Sequence, residues 1–199
     1  MVVIDPAAVA NFRRYGLTPL IARHAANRFP WEFGAALVEI ECGGDPHAYN
    51  YYDDGGALHR AHWNPGDPLP DGADGRPQAY AVGATQIIAR YPRGLSLAER
   101  FDPEQNVAAV FAELGTYWRQ ARTAGLSGHD LAASVYVAHN RGPVPFHQGL
   151  ARRPKTVHEL VSFSELPVDV GARAVKKALE VAEHMDGWAS LKVGLGVTA

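Results

Sequence analysis

The sequence predicts a mainly α-helical domain that carries one small β element. Apolar residues recur at helical spacing in several segments, and capping residues or glycines stand at many of their ends. Asp102-Pro103, for example, places an N-cap and an N1 proline before the apolar stripe of residues 103–123. Alternation of apolar and polar residues, which is typical of a half-buried strand, is rare. We therefore expect helices to form most of the core.

The helices can be placed in order from their start and stop signals. Asp5-Pro6 starts the first segment, and Gly16 interrupts it, which predicts two short helices. Trp31 opens a short apolar helix that stops at Gly43-Gly44. The predicted helical segments are 6–28, 31–42, 82–88, 103–123, 128–140, 156–166 and 172–185.

Residues 43–82 have a different composition. Glycine, proline, aspartate, asparagine, tyrosine and histidine dominate, with turn signals such as Asp54-Gly55-Gly56 and Asn64-Pro65-Gly66. An irregular segment this long is uncommon in a compact domain and is often functional. We expect irregular structure here, or a small β-hairpin.

Composition narrows the classes of function. The 199 residues suit one domain or one domain with an extension, and 47% of them are hydrophobic. A formal net charge of -2 argues against a nucleic-acid partner, which would favour a basic face. Cys42 is the single cysteine, so no intramolecular disulfide can form. No run of apolar residues approaches the ~20 that a membrane span needs, and no signal peptide is recognisable.

One acidic residue stands out in the helix that begins at Trp31. Glu41 follows Leu37 and Val38 at spacings of four and three residues, so all three share an apolar face. Glu39 lies on a more polar side and is expected to face water. Burial of a carboxylate is unfavourable unless a partner supports its charge. Glu41 is therefore a candidate functional residue.

Four short motifs follow one another along the chain. They are E-C-G-G-D-P at 41–46, G-A-T-Q-I at 83–87, F-D-P-E-Q-N-V at 101–107 and A-H-N-R-G-P at 138–143. In this order they resemble the E-S-G-G-x-P, G-L-M-Q-I, F-D-P-x-x-N-I and A-Y-N-x-G-P motifs of lytic transglycosylases, which belong to the lysozyme-like superfamily. The resemblance covers roughly residues 31–145.

The resemblance implies a domain organisation and a fold. Residues 31–145 would form a lysozyme-like α+β catalytic domain, with the insertion 43–82 beside its active-site cleft. Residues 1–30 would be an N-terminal helical segment. Residues 146–199 would be a C-terminal helical extension that packs on the same domain.

The resemblance also implies an activity and its residues. The family cleaves the β-1,4 bond between N-acetylmuramic acid and N-acetylglucosamine in peptidoglycan, and it forms 1,6-anhydromuramyl products. Glu41 would act first as general acid and then as base. Gln86, His139 and Asn140 would bind the glycan, and His139 stands where the family usually has tyrosine. No metal motif with diagnostic spacing is present, and we expect no metal and no cofactor.

The insertion adds further candidates. Its aromatic residues, Tyr80 among them, can stack on sugar rings or can instead pack within their own domain. Asp53 and Asp54 are candidates for a second carboxylate, as in goose-type lysozymes, which hydrolyse with water. Adjacent aspartates before Gly55-Gly56 are also typical turn residues.

Two other classes of function remain open at this stage. A glycan-binding or virion structural protein could keep the fold with a weakened site, which His139 and Ala84-Thr85 would favour. A hydrolase could use Cys42 as nucleophile with His47 or His139 as base. Since peptidoglycan lies outside the cytoplasm, we expect delivery in a phage particle or by a lysis or secretion system, whose components would be partners.

Overall fold

The computed structural model describes residues 2–197, which are 58% helical and 9% strand. This confirms the mainly helical class with a small β element. The helices are α1 (Pro6–Arg14), α2 (Leu17–Ala25), α3 (Trp31–Cys42), α4 (Leu97–Phe101), α5 (Pro103–Thr123), α6 (Gly128–Arg141), α7 (Pro143–Leu150), α8 (Val157–Ser162) and α9 (Val168–Leu191). The strands are β1 (Ala48–Tyr52), β2 (Leu58–His62), β3 (Ala79–Val82) and β4 (Ile87–Ile88).

The chain forms two compact units. The helical unit contains residues 2–4, 25–37 and 111–197, and the sheet unit contains residues 5–24 and 38–110. Helices α3 and α5 contribute residues to both units. The division at residues 30 and 145 that the motifs imply stays a prediction.

Aromatic packing holds the helical unit together. Phe29 meets three other rings, with centroid distances of 5.3 Å to Phe33, 5.0 Å to Phe111 and 6.0 Å to Trp118. Every residue of α6 from Leu131 to Ala138 is buried. Burial of each large apolar side chain stabilises the fold by about 1.5–3 kcal/mol, so this unit depends mainly on apolar contact.

The sheet unit is built around a four-stranded antiparallel sheet. Its strand order is β2-β1-β3-β4, and β1 and β2 form a hairpin in which Asn50 is opposite Arg60. Tyr49 and Val82 are paired across β1 and β3, and they pack with Phe101 in a small apolar core. The insertion is therefore more ordered than a single hairpin.

Two local expectations about secondary structure are wrong. Residues 82–88 do not form a helix, because β3 ends at Val82 and Ile87 pairs back with it in β4. A short apolar run satisfies both periods, and the pairing with distant β1 decides between them. The segment after Gly142, which none of the predicted helices covers, forms α7 with Pro143 at its first turn.

Most helix ends agree with their predicted signals. The Asp5 carboxylate accepts a hydrogen bond from the Ala7 N–H, and Asp102 accepts one from the Gln105 N–H. Gly43 and Gly44 end α3 with φ of 66° and 75°. None of the helices in residues 2–197 is both long enough and apolar enough to span a membrane.

Candidate functional site

Glu41 lies in the last turn of α3, within the sheet unit, and is 8% exposed. Its predicted inward orientation is confirmed. The chain leaves the helix at once through Gly44, where an added Cβ would lie 2.8 Å from the Phe12 ring. A side chain at position 44 would push α1 and the end of α3 apart, so glycine is needed beside the acid.

Glu39 was expected to face water, and this expectation is wrong. It is also 8% exposed, and its Oε1 accepts a hydrogen bond of 3.4 Å from the Asp5 N–H at the start of α1. The start of α1 thus lies against the side of α3 that looked polar in the sequence. Packing of a distant segment, which periodicity does not encode, buried this second acid.

Arg60 from the hairpin binds the end of the helix that carries Glu41. Its Nη2 donates a hydrogen bond of 2.6 Å to the backbone carbonyl of Glu41. The last carbonyls of a helix have no partner inside the helix and carry partial negative charge. A guanidinium at this point both satisfies a carbonyl and stabilises the helix end, so strand β2 holds Glu41 in place.

A chain of hydrogen bonds continues from Arg60 to Gln86. Asn50 accepts from Arg60 Nε at 3.4 Å and donates from Nδ2 to Gln86 Oε1 at 2.8 Å. Gln86 Nε2 donates to the carbonyls of Ala48 (3.1 Å) and Gly83 (2.9 Å). Gln86 is buried with φ of 51°, and both ends of its amide already have protein partners. The predicted contact of Gln86 with a glycan stays a prediction, whereas its role inside the network is visible.

Asn106 joins two of the sequence motifs. Its Oδ1 accepts from the backbone N–H of Thr85 (3.0 Å) and from the Thr85 hydroxyl (2.7 Å). Its Nδ2 donates to the carbonyls of Val82 (3.1 Å) and Arg100 (2.8 Å). An added Cβ on Gly83 would collide with Asn106 and with the Arg100 carbonyl. The close approach of Asn106 therefore requires glycine at position 83.

Cys42 is buried, and its Sγ donates to the Val38 carbonyl at 3.1 Å. Burial raises the pKa of the Cys42 thiol far above its ordinary value. The thiolate is the nucleophilic form of cysteine. The geometry thus argues against the hydrolase in which Cys42 attacks a substrate.

A small group of rings and one carboxylate follows Glu41 in the chain. His62 Nδ1 lies 2.8 Å from Asp45 Oδ2, and the Asp45 Oδ1 accepts from the His47 N–H at 3.0 Å. The His47 ring meets His62 and Trp63 edge to face at 5.9 Å and 5.8 Å. Burial, followed by the neighbouring His62, lowers the pKa of His47, with Asp45 acting in the opposite direction. His47 is therefore held towards its neutral form.

The aromatic residues of the insertion divide into two sets. Tyr49 and Trp63 pack with Phe101 and belong to the core of the sheet unit. Tyr52 and Tyr80 are 51% and 40% exposed, and their rings meet edge to face at 5.1 Å. Of these four residues, Tyr52 and Tyr80 are the most exposed and offer the most ring surface to a ligand.

The adjacent aspartates lie in the turn between β1 and β2. Asp53 accepts from the N–H groups of Gly55 (3.0 Å) and Ala57 (2.8 Å), and its Oδ2 lies 2.8 Å from His59 Nε2. The hydrogen bond with His59 is the main reason that the pKa of Asp53 is lowered. Asp53 is a turn residue, and Asp54 is exposed beside it. A catalytic role of Asp54 stays a prediction.

His139 and Asn140 lie in the last turn of α6, in the helical unit. His139 is half-buried with its ring 5.9 Å from that of Tyr136, and Asn140 is exposed. Their predicted contacts with the glycan stay predictions. In the part of the chain that the structure describes, no three histidine, cysteine or acidic side chains are grouped to hold a metal ion.

Arg60 and Asn50 were missed at the level of sequence. A usable signal exists, because A-Y-N-Y-Y and L-H-R-A-H flank Asp53-Asp54-Gly55-Gly56, which is a hairpin pattern. Registering the two strands across that turn places residue 50 opposite residue 60.

Models of protein families, curated proteins and solved structures were compared with the chain, and none of the three comparisons found a match. The resemblance to lytic transglycosylases therefore stays a prediction from the sequence motifs.

Proposed function

We propose that this protein is a lytic transglycosylase that cleaves peptidoglycan glycan strands, with Glu41 as its general acid and base. The observation that carries the proposal is the buried carboxylate of Glu41 at the end of α3, beside a helix end held by Arg60. We also propose a lysozyme-like fold, which an acid-bearing helix followed by a small antiparallel sheet and further helices supports.

Hydrogen bonding between the motifs adds support. Asn106 joins motif 101–107 to motif 83–87. Asn50 joins Gln86 of motif 83–87 to Arg60, and Arg60 binds the backbone carbonyl of Glu41 in motif 41–46. Residues 41–46, 83–87 and 101–107 thus all lie in the sheet unit. Such a grouping is expected if these three motifs specify one site.

The reaction needs one proton carrier. Glu41 donates its proton to the glycosidic oxygen as the bond from that oxygen to C1 of the muramyl sugar breaks. The 6-hydroxyl of the same sugar then attacks C1 and gives its proton to the Glu41 carboxylate. A 1,6-anhydro ring forms, the leaving sugar keeps the first proton, and Glu41 returns to its starting state. No water is consumed.

The exposed tyrosine pair supplies a surface for the glycan. Tyr52 and Tyr80 present two rings on adjacent strands β1 and β3. Aromatic faces stack on the apolar faces of sugar rings, while the phenolic hydroxyls donate to sugar oxygens. In the proposal this pair binds the strand and Glu41 carries out the chemistry.

The decisive experiment compares two buried acids on one helix. Purified peptidoglycan is incubated with wild-type protein, with Glu41→Gln and with Glu39→Gln, and release of soluble fragments is measured. Glu41→Gln should lower the rate by about a hundredfold to ten-thousandfold, because general acid–base catalysis contributes that much. Glu39→Gln should keep its activity, since Glu39 binds the start of α1. Equal activity of wild type and Glu41→Gln at matched folding would refute the mechanism.

Product masses separate the two enzymatic outcomes. Anhydromuramyl ends support the transglycosylase, whereas reducing muramyl ends would identify a muramidase that uses water. The muramidase needs a carboxylate to hold that water. The Asp53 carboxylate already accepts hydrogen bonds from the backbone of its own turn, which argues against Asp53 in this role. Binding to peptidoglycan without any fragment release would instead identify a glycan-binding protein.

A further inference from the structure

A surface groove of about 550 Å³ lies entirely within the helical unit. It runs along the C-terminal turns of α5 and the end of α7. Its main lining residues are Arg119, Gln120, Thr123, His147, Leu150 and Arg153. A volume of this size is typical of small-molecule sites.

The charge of the groove has one sign. Arg119 and Arg153 each bring a permanent positive charge, and the lining contains no acidic residue. The guanidinium of Arg119 donates to the Thr116 hydroxyl at 3.2 Å. Among residues 2–197, no carboxylate forms an ion pair with either arginine. Two cations that the protein leaves without a counter-charge favour an anion in the groove.

The backbone holds Arg153 in an unusual conformation. Its φ is 51°, in the left-handed region that non-glycine residues rarely adopt. The Arg153 N–H donates to the Leu150 carbonyl at 3.0 Å, and buried Pro154 follows it. The turn after α7 thus maintains a locally unfavourable conformation with a charged side chain on the groove, as occurs at binding sites.

The lining of the groove also contains an apolar side chain and a ring. Leu150 lines it beside His147, whose ring packs against Phe146 at 5.3 Å and Tyr117 at 6.0 Å. These contacts hold the imidazole in place. A ligand seated here would meet both cations and a flat, partly apolar surface.

We propose that this groove binds a phosphate ester whose organic part is about the size of a sugar. Arg119 and Arg153 would hold the phosphate, because two guanidinium groups match a multiply charged anion with several acceptor oxygens. The sugar-sized part would rest on Leu150 and His147. The groove lies in the helical unit and Glu41 lies in the sheet unit, and the proposal does not depend on the proposed glycan-cleaving activity.

The test is a binding titration of the whole protein, measured by isothermal calorimetry. The probes are glucose 6-phosphate, glucose and glucuronate, which share one sugar ring and differ in charged group. Glucose 6-phosphate should bind, glucose should not, and glucuronate should bind at least about tenfold more weakly. Equal binding of glucuronate, or no binding of glucose 6-phosphate at millimolar concentration, would overturn the proposal.

Matched variants distinguish a site from general surface charge. Arg119→Gln with Arg153→Gln should weaken the phosphate ester by at least about tenfold. Arg122→Gln with Arg152→Gln removes the same charge from exposed neighbours outside the groove lining and should leave affinity unchanged. Equal weakening by both pairs would mean that net charge alone attracts the probe, and would overturn the site. Thermal unfolding of each variant verifies that it is folded.

A second arm identifies the source of the phosphate. Glycerol phosphate oligomers present the same group as a diester within a polymer. A phosphodiester polymer would be identified as the ligand if the oligomer bound more tightly than glucose 6-phosphate and if Arg119→Gln with Arg153→Gln abolished that difference. Tighter binding of the monoester would identify a free sugar phosphate. Either result supports the site.

Discussion

The two units of this protein are stabilised by different kinds of interaction. In the helical unit Phe29 packs with Phe33, Phe111 and Trp118, and apolar burial dominates. In the sheet unit side-chain hydrogen bonds join distant segments, with Asn106 as the most connected residue. Apolar packing tolerates changes of similar volume, whereas a buried polar network loses several bonds when one member is replaced.

The difference between hydrogen bonding in one unit and apolar packing in the other matters for the candidate site around Glu41. The sheet unit has a small apolar core around Phe101. Side-chain hydrogen bonds such as those of Asn106 therefore contribute much of what fixes the relative positions of its backbone segments. A catalytic acid must be held within a fraction of an ångström to work well. A unit organised by directional bonds meets that need better than one organised by packing alone. The comparison predicts different sensitivities to substitution in the two units.

The largest effect is expected at Asn106. Asn106→Leu keeps the size of the side chain but removes the partners of Thr85, Val82 and Arg100. Each buried group left unsatisfied costs about 1–3 kcal/mol, so we expect a loss of more than about 3 kcal/mol in the free energy of unfolding. Urea denaturation measures it.

The matching substitution in the helical unit is Phe111→Leu. It removes part of one buried ring and should cost about 1–2 kcal/mol. If Phe111→Leu proved as damaging as Asn106→Leu, the contrast between the units would fail.

The second effect concerns Arg60. Arg60→Met removes the donor to the Glu41 carbonyl and should lower kcat for the proposed glycan cleavage by about tenfold, with little change in KM. The loss of stability should be about 1 kcal/mol, because this arginine is largely exposed. Steady-state kinetics on soluble glycan fragments separates the two parameters.

Arg90→Met serves as the control for that experiment. Arg90 is exposed in the same unit, and its guanidinium stacks over Tyr91. It should leave both kcat and KM unchanged. If Arg60→Met raised KM without changing kcat, the proposed positioning role of Arg60 would be refuted.

The smallest effect is a pH dependence of stability. Since burial lowers the pKa of His47 below its ordinary 6.5, the unfolded chain binds this proton more tightly than the folded protein. Its stabilising contribution is complete above pH 6.5 and is lost as the pH falls below that value. Unfolding free energy measured between pH 7.5 and 5.5 should therefore decline, and His47→Gln should flatten the decline. If the pH dependence of the unfolding free energy were the same in His47→Gln as in the wild type, other titrating groups would cause the decline.

Local signals made the helices predictable. Asp5-Pro6, Asp102-Pro103 and the glycines at 43 and 44 act within one turn of their own positions, so the chain shows them directly. The capping box of α4 at Ser96 and Glu99 was equally local, yet its short helix of five residues was overlooked.

Long-range pairing set the limit of prediction. Residues 82–88 read as helix because nothing nearby reveals that Tyr49 pairs with Val82. Glu39 was expected in water because the Asp5 N–H that binds it lies 34 residues away. For the site, periodicity predicted that Glu41 is buried, but the partners that hold its helix end come from a hairpin whose register had to be known first.

The bond between Thr85 and Asn106 has a consequence for the motions of the sheet unit. The Thr85 amide hydrogen is enclosed by the Asn106 side chain, and both residues are fully buried. It can exchange with solvent deuterium only when the turn after β3 and the first turn of α5 separate. We therefore expect residues 83–87 and 101–107 to open together, and the deuterium uptake of the Thr85 amide would report how often they separate.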